Sequence, residues 1–80
     1  MAKDIEILDR VQDVFVRFFD IPGLRVTPDT TAAAVPGWDS LANVELMVEV
    51  EQAFGIRFRT GEVASLKNVG ELVALIAKRV

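Results

Sequence analysis

The sequence predicts an all-α fold, and two observations carry that prediction. Apolar residues recur at three- and four-residue intervals in three separate stretches, as they do on a helix with one buried face. Ile56-Arg57-Phe58-Arg59 alternates apolar and basic residues and reads as an extended connector between helices. Eighty residues make one domain, spanning 1–80. A chain of that size buries roughly 60–65% of its extended surface, too little to spare a large internal cavity.

The first helix is expected over Asp4–Phe19. Ile5, Leu8, Val11, Val14, Phe15, Phe18 and Phe19 follow helical spacing, and Glu6–Arg10 and Asp13–Arg17 have the favourable i,i+4 order for ion pairs. Between Asp20 and Asp39, Pro22, Gly23, Pro28, Pro36 and Gly37 prevent any long regular element, so a loop of nearly twenty residues is expected. Leu24, Val26 and Val35 are positioned to pin it against the first helix. A calcium loop is excluded, because Asp29 is the only acid between Asp20 and Asp39.

The second helix is expected from Ser40 to Phe54. Asp39 is a favoured N-cap, Gly55 a plausible stop, and Ser40 falls in the first turn, where unpaired amides and the helix dipole favour an attached anion. This helix carries two apolar stripes. Leu46, Met47, Val50 and Phe54 suit a core. Leu41, Val44 and Val48 form a second strip, with Glu45 and Glu51 at its edges and Glu49 nearby, the composition of a partner-binding surface. Burial of both stripes between helices would produce the same pattern, and periodicity leaves the two readings open.

Thr60 is the expected N-cap of a short third helix running through Ser65, with Glu62 in its first turn. Asn68 and Glu71 have capping-box spacing ahead of Val69, Leu72, Val73, Ile76 and Val80, so a last helix is expected, ending in Lys78 and Arg79. Leu46, Val50, Phe54, Ile56, Phe58, Val63, Leu66, Val69 and Leu72 would surround the space between the second helix and the last two.

Composition excludes several functions. The absence of cysteine and histidine removes disulfides, thiol and imidazole catalysis and the common zinc sites, so intrinsic catalysis is disfavoured and no metal is expected. The net charge is −3, from 9 basic and 12 acidic residues. Asp39, Glu45, Glu49 and Glu51 lie between positions 38 and 56 without a basic residue among them, so the acidity sits on the second helix. Basic protein partners are expected there and nucleic acid is not. With no apolar signal core and no run long enough to span a bilayer, a cytoplasmic chain without membrane attachment is expected.

Gly37-Trp38-Asp39-Ser40-Leu41, followed by Val44-Glu45-Leu46 and Phe54-Gly55-Ile56, resembles the signature of the acyl carrier proteins. The Thr27-Pro28-Asp29 loop, the short helix near Glu62 and the Asn68-to-Ile76 helix extend the likeness to essentially the whole chain. The resemblance implies a four-helix bundle of acyl-carrier type, with three longer helices, one short one and a long loop after the first. It further implies that a dedicated transferase, using coenzyme A and magnesium, attaches 4′-phosphopantetheine to the serine matching Ser40. Asp39 and Leu41 would flank the site, with Asp39 helping to position the transferase. Acyl groups would then ride as thioesters on the terminal thiol, and the carrier would be a substrate of other enzymes rather than a catalyst. The implied partners are the transferase and the acyl- or aminoacyl-loading and accepting enzymes, docking through basic patches on Val44, Glu45, Val48, Glu49 and Glu51 of a monomer.

Trp38, Ala42, Arg57 and Arg59 depart from the fatty-acid-synthesis pattern and point to a specialised or aminoacyl- or peptidyl-type carrier. Two other functions fit the residues. One is an unmodified acidic interaction module, in which Ser40 is only a helix-start serine. The other is a hydrolase with Ser40 as nucleophile, which without histidine would need a lysine such as Lys67 as base.

Overall fold

The computed structural model describes residues 2–80 and is all-helical over that range. Helix α1 spans Ala2–Phe19, α2 Ser40–Phe54, α3 Thr60–Ala64 and α4 Val69–Ala77, with a single 3-10 turn at Ala32–Ala34 inside the long loop. Most of the expected apolar positions meet in one core, but Ile5 and Val80 are exposed and Ile7 is buried on α1 instead. Val11, Val14 and Phe15 from α1, Leu46, Met47 and Val50 from α2, and Val69, Leu72 and Ile76 from α4 are buried together. Because α1 packs against both α2 and α4, it serves as the spine of the bundle. No described helix is long and apolar enough to cross a membrane.

The loop is held at three places. Val26 and Val35 are buried and Leu24 packs against the core, as their apolar character predicts. Gln12 on α1 fastens the same segment with both ends of its amide, accepting the Val26 N–H at 2.7 Å and donating to the Leu24 carbonyl. The loop then reaches α4, where the carbonyls of Thr30 and Pro28 accept the Val69 and Gly70 N–H groups, each at 2.8 Å. Gly70 allows this approach, since a Cβ there would lie 2.9 Å from the Pro28 oxygen.

Several local expectations are corrected. The Glu6–Arg10 and Asp13–Arg17 ion pairs do not form. Arg10 instead donates to the Ala53 carbonyl and lies 4.2 Å over the Phe54 ring, which ties α1 to the end of α2. Arg17 turns to the Asp13 carbonyl rather than to its carboxylate. For Arg10, a helix-end carbonyl and an aromatic face offer more than a solvated carboxylate on its own helix.

Helix limits shift too: α1 begins at Ala2, α3 starts at Thr60 with Arg59 in the capping position, and α4 stops at Ala77. Glu62 accepts the Arg59 N–H at 2.8 Å. Asn68 caps α4 through the Glu71 N–H at 2.9 Å, but the Glu71 carboxylate reaches back to the Lys67 N–H at 2.7 Å, one residue beyond a regular capping box. Arg79 leaves the helix pole, pairs with Glu62 and donates to the Arg57 carbonyl at 2.7 Å, joining the C-terminus to α3 and the connector.

Candidate functional site

The site forms where the loop enters α2. Gly37 has φ of 88°, a left-handed conformation that turns the chain toward the helix, and Asp39 follows in extended geometry. The Asp39 carboxylate accepts the Ala42 N–H at 2.8 Å, as its N-cap position predicts. Ser40 is therefore the first helical residue, with its side chain exposed, and the Ser40 and Leu41 amides have no acceptor within the helix.

Trp38 holds this turn in place from two sides. Its indole packs edge-on against Phe15 of α1, with ring centroids 5.1 Å apart, and lies 6.4 Å from Phe19. Its Nε1–H donates to Asn43 Oδ1 at 2.9 Å, one turn into α2, and Asn43 Nδ2 reaches the Val63 carbonyl of α3 at 3.4 Å. Trp38 and Asn43 thus join the site to three helices. Sequence reading singled out Trp38 only as a departure and missed Asn43, whose one signal was an amide in the first turn of an otherwise apolar helix face.

Ser40 opens onto a groove of about 260 Å³ between α2 and α3, lined by Ala32, Trp38, Asp39, Asn43, Val63, Ala64, Leu66 and Lys67. One wall is apolar, Lys67 supplies a positive charge, and Asp39 and Asn43 are hydrogen-bonded within the protein. This fits a phosphate followed by an amide-bearing chain. Lys67, considered above as a possible base for Ser40, does line the same groove.

The two stripes of α2 separate completely. Leu46, Met47 and Val50 are buried, whereas Leu41, Val44 and Val48 are 72%, 60% and 45% exposed and cannot belong to the core. Glu45 is exposed beside this strip, and Glu49, also exposed, lines the cleft between α1 and α2 near Arg17. Glu51, the other expected rim acid, lies beside Val48. It is half-buried and accepts the Phe58 N–H at 2.7 Å, so it serves as an anchor for the connector after α2. The strip ends at a groove of about 400 Å³ lined by Val48, Glu51, Gln52, Gly55, Ile56 and Arg57.

Architecture and site together define the class as a small helical carrier domain. A family model described as "Phosphopantetheine attachment site" matches residues 9–76. The chain is 36% identical over 72 residues to the acyl carrier protein of Acidothermus cellulolyticus, covering 90% of this chain and 86% of that one. It is 29% identical over 73 residues to acyl carrier protein 2 of Ralstonia nicotianae, covering 91% of this chain and 90% of the relative. The solution structure of the holo acyl carrier protein from Geobacter metallireducens superposes with a TM-score of 0.83 at 38% identity, covering 90% and 83% of the two chains. The chain belongs to the phosphopantetheine attachment family and is an acyl carrier protein, a carrier rather than a catalyst. Its prosthetic group is a covalently attached phosphopantetheine. This corrects the reading of the chain as an unmodified interaction module and the reading as a hydrolase.

Proposed function

We propose that Ser40 bears the phosphopantetheine and that this chain passes acyl groups between biosynthetic enzymes. The observation that carries the assignment is an exposed hydroxyl on the first residue of α2, opening onto a groove of mixed polarity. When bound, the group supplies a terminal thiol, which this chain lacks, for thioester formation with the cargo. Every other contribution comes from the chain itself. Asp39 fixes the helix start, Trp38 and Asn43 hold the turn rigid, and the first-turn amides favour the phosphate charge. Acyl cargo is favoured over aminoacyl cargo by the names of the relatives.

The partners are a phosphopantetheinyl transferase and the enzymes that load and accept cargo, and the work is cytoplasmic. Leu41, Val44 and Val48 supply an exposed apolar docking strip, and Glu45 and Glu49 supply acidic groups for basic patches on the partner. With coenzyme A, magnesium and a broad-specificity transferase, the intact mass of the wild-type chain should rise by one phosphopantetheinyl group. Ser40→Ala should show no mass change at unchanged helix content, because Asp39 still caps α2. A mass increase in Ser40→Ala would refute the assignment.

A further inference from the structure

We propose that Lys67 is a positioning residue for the prosthetic arm, holding the phosphodiester against the wall of the groove between α2 and α3. The inference rests on the assignment of Ser40 as attachment residue and adds a contact from this chain to the group it carries.

The groove that opens at Ser40 has two charged side chains on its walls, Asp39 and Lys67. Asp39 repels a phosphate and is already engaged, because its Oδ1 accepts the Ala42 N–H at 2.8 Å. Lys67 is the basic side chain on that lining and is exposed. It has no carboxylate partner among the described residues, where the ion pair is Arg79–Glu62. The nearest acid in hydrogen-bond terms, Glu71, takes the Lys67 backbone N–H at 2.7 Å and so fixes the residue's backbone while leaving its ammonium free. Attraction between exposed charges persists over a Debye length of ~8 Å at physiological salt, so an ammonium on the lining of this groove acts on a phosphodiester at its mouth without full screening.

The remaining lining explains why holding the phosphate also orders the arm. Trp38, Val63 and Leu66 give the following chain an apolar wall, and Asn43 spans the groove between Trp38 and the Val63 carbonyl. An arm fixed at its phosphate by Lys67 lies along these residues. Without Lys67 it is tethered only at Ser40. Because the contact is a solvated point charge on a flexible stem, it biases the arm without locking it, and a partner can still draw the arm out.

The test uses the full chain loaded with coenzyme A, magnesium and a transferase, with intact mass confirming one group on wild type, Lys67→Gln and Lys67→Arg. Absence of loading, or loading of Ser40→Ala, would overturn the attachment assignment itself. On the loaded proteins, phosphorus NMR relaxation of the phosphodiester reads its mobility directly. At low salt the transverse rate should be roughly twofold higher in wild type than in Lys67→Gln, the population bias an exposed ion pair supplies. Lys67→Arg should restore the wild-type rate, and high salt should bring wild type down to the Lys67→Gln value. Lys78→Gln, which alters a lysine at the far end of α4, should match wild type. Equal relaxation of loaded wild type and Lys67→Gln at low salt would overturn the inference while leaving Ser40 as the attachment residue.

Discussion

Replacing Gln12 by alanine tests how the loop before Ser40 is held. The side chain accepts the Val26 N–H at 2.7 Å and donates to the Leu24 carbonyl, so alanine removes two hydrogen bonds from a partly buried site. Each net bond is worth about 1 kcal/mol, and the Val26 N–H left without a partner adds about 1 kcal/mol more. Alanine's better helix propensity returns only ~0.3–0.4 kcal/mol. The expected loss is therefore about 2–3 kcal/mol, a large share of the ~5–15 kcal/mol available to a small domain. At ~4–8 °C per kcal/mol for a domain of this size, the midpoint should fall by roughly 10–20 °C. Urea unfolding followed by circular dichroism measures the free energy, and amide exchange at Val26 reports whether the loop opens first. A loss below ~0.5 kcal/mol, the range of ordinary surface substitutions, would show that the apolar pins hold the loop without Gln12.

Two further outcomes are expected. Val44 is 60% exposed, so Val44→Asp should leave the fold intact by circular dichroism yet weaken association with a transferase at least roughly tenfold; unfolding would show that the strip is part of the core. Glu62 lies below its ordinary pKa because it accepts the Arg59 N–H and, secondarily, faces Arg79, with partial burial opposing both. A depressed carboxylate stabilises the fold above its unfolded value of about 4.3 and loses that contribution as pH falls through the folded value. Glu62→Gln should therefore flatten acid destabilisation below about pH 4.3, and an unchanged slope in urea titrations across that range would refute the role.

The elements readable in the sequence were those set by local rules. Helical spacing placed α1, α2 and α4, Asp39 capped where its side chain and position predict, and Val26 and Val35 were recognisable as pins by their apolar character. The errors came from polar side chains whose partners lie far along the chain. Nothing in local spacing marks Gln12, because the loop that returns to it lies outside the helix. Arg10 had a near neighbour of opposite charge and instead found a backbone carbonyl on another helix. The place of Ser40 at a helix mouth is a local matter, whereas Lys67, which the sequence offers only as a possible base, is brought to the same groove by the packing of α3 beside α2.

The bonds from the loop to α4 bear on when the protein becomes competent during synthesis. The carbonyls of Pro28 and Thr30 hold the amides of Gly70 and Val69, so the segment leading to Ser40 is secured by residues made well after it. A ribosome-bound chain that has exposed Ser40 but not α4 lacks those anchors and lacks the core that α4 completes. Its serine is present in sequence but not in position. Loading should thus wait for α4 rather than begin as soon as Ser40 emerges. A fragment ending at residue 67 should stay unmodified under conditions that load the full chain, and its quantitative modification would show that the helix mouth forms without the last helix.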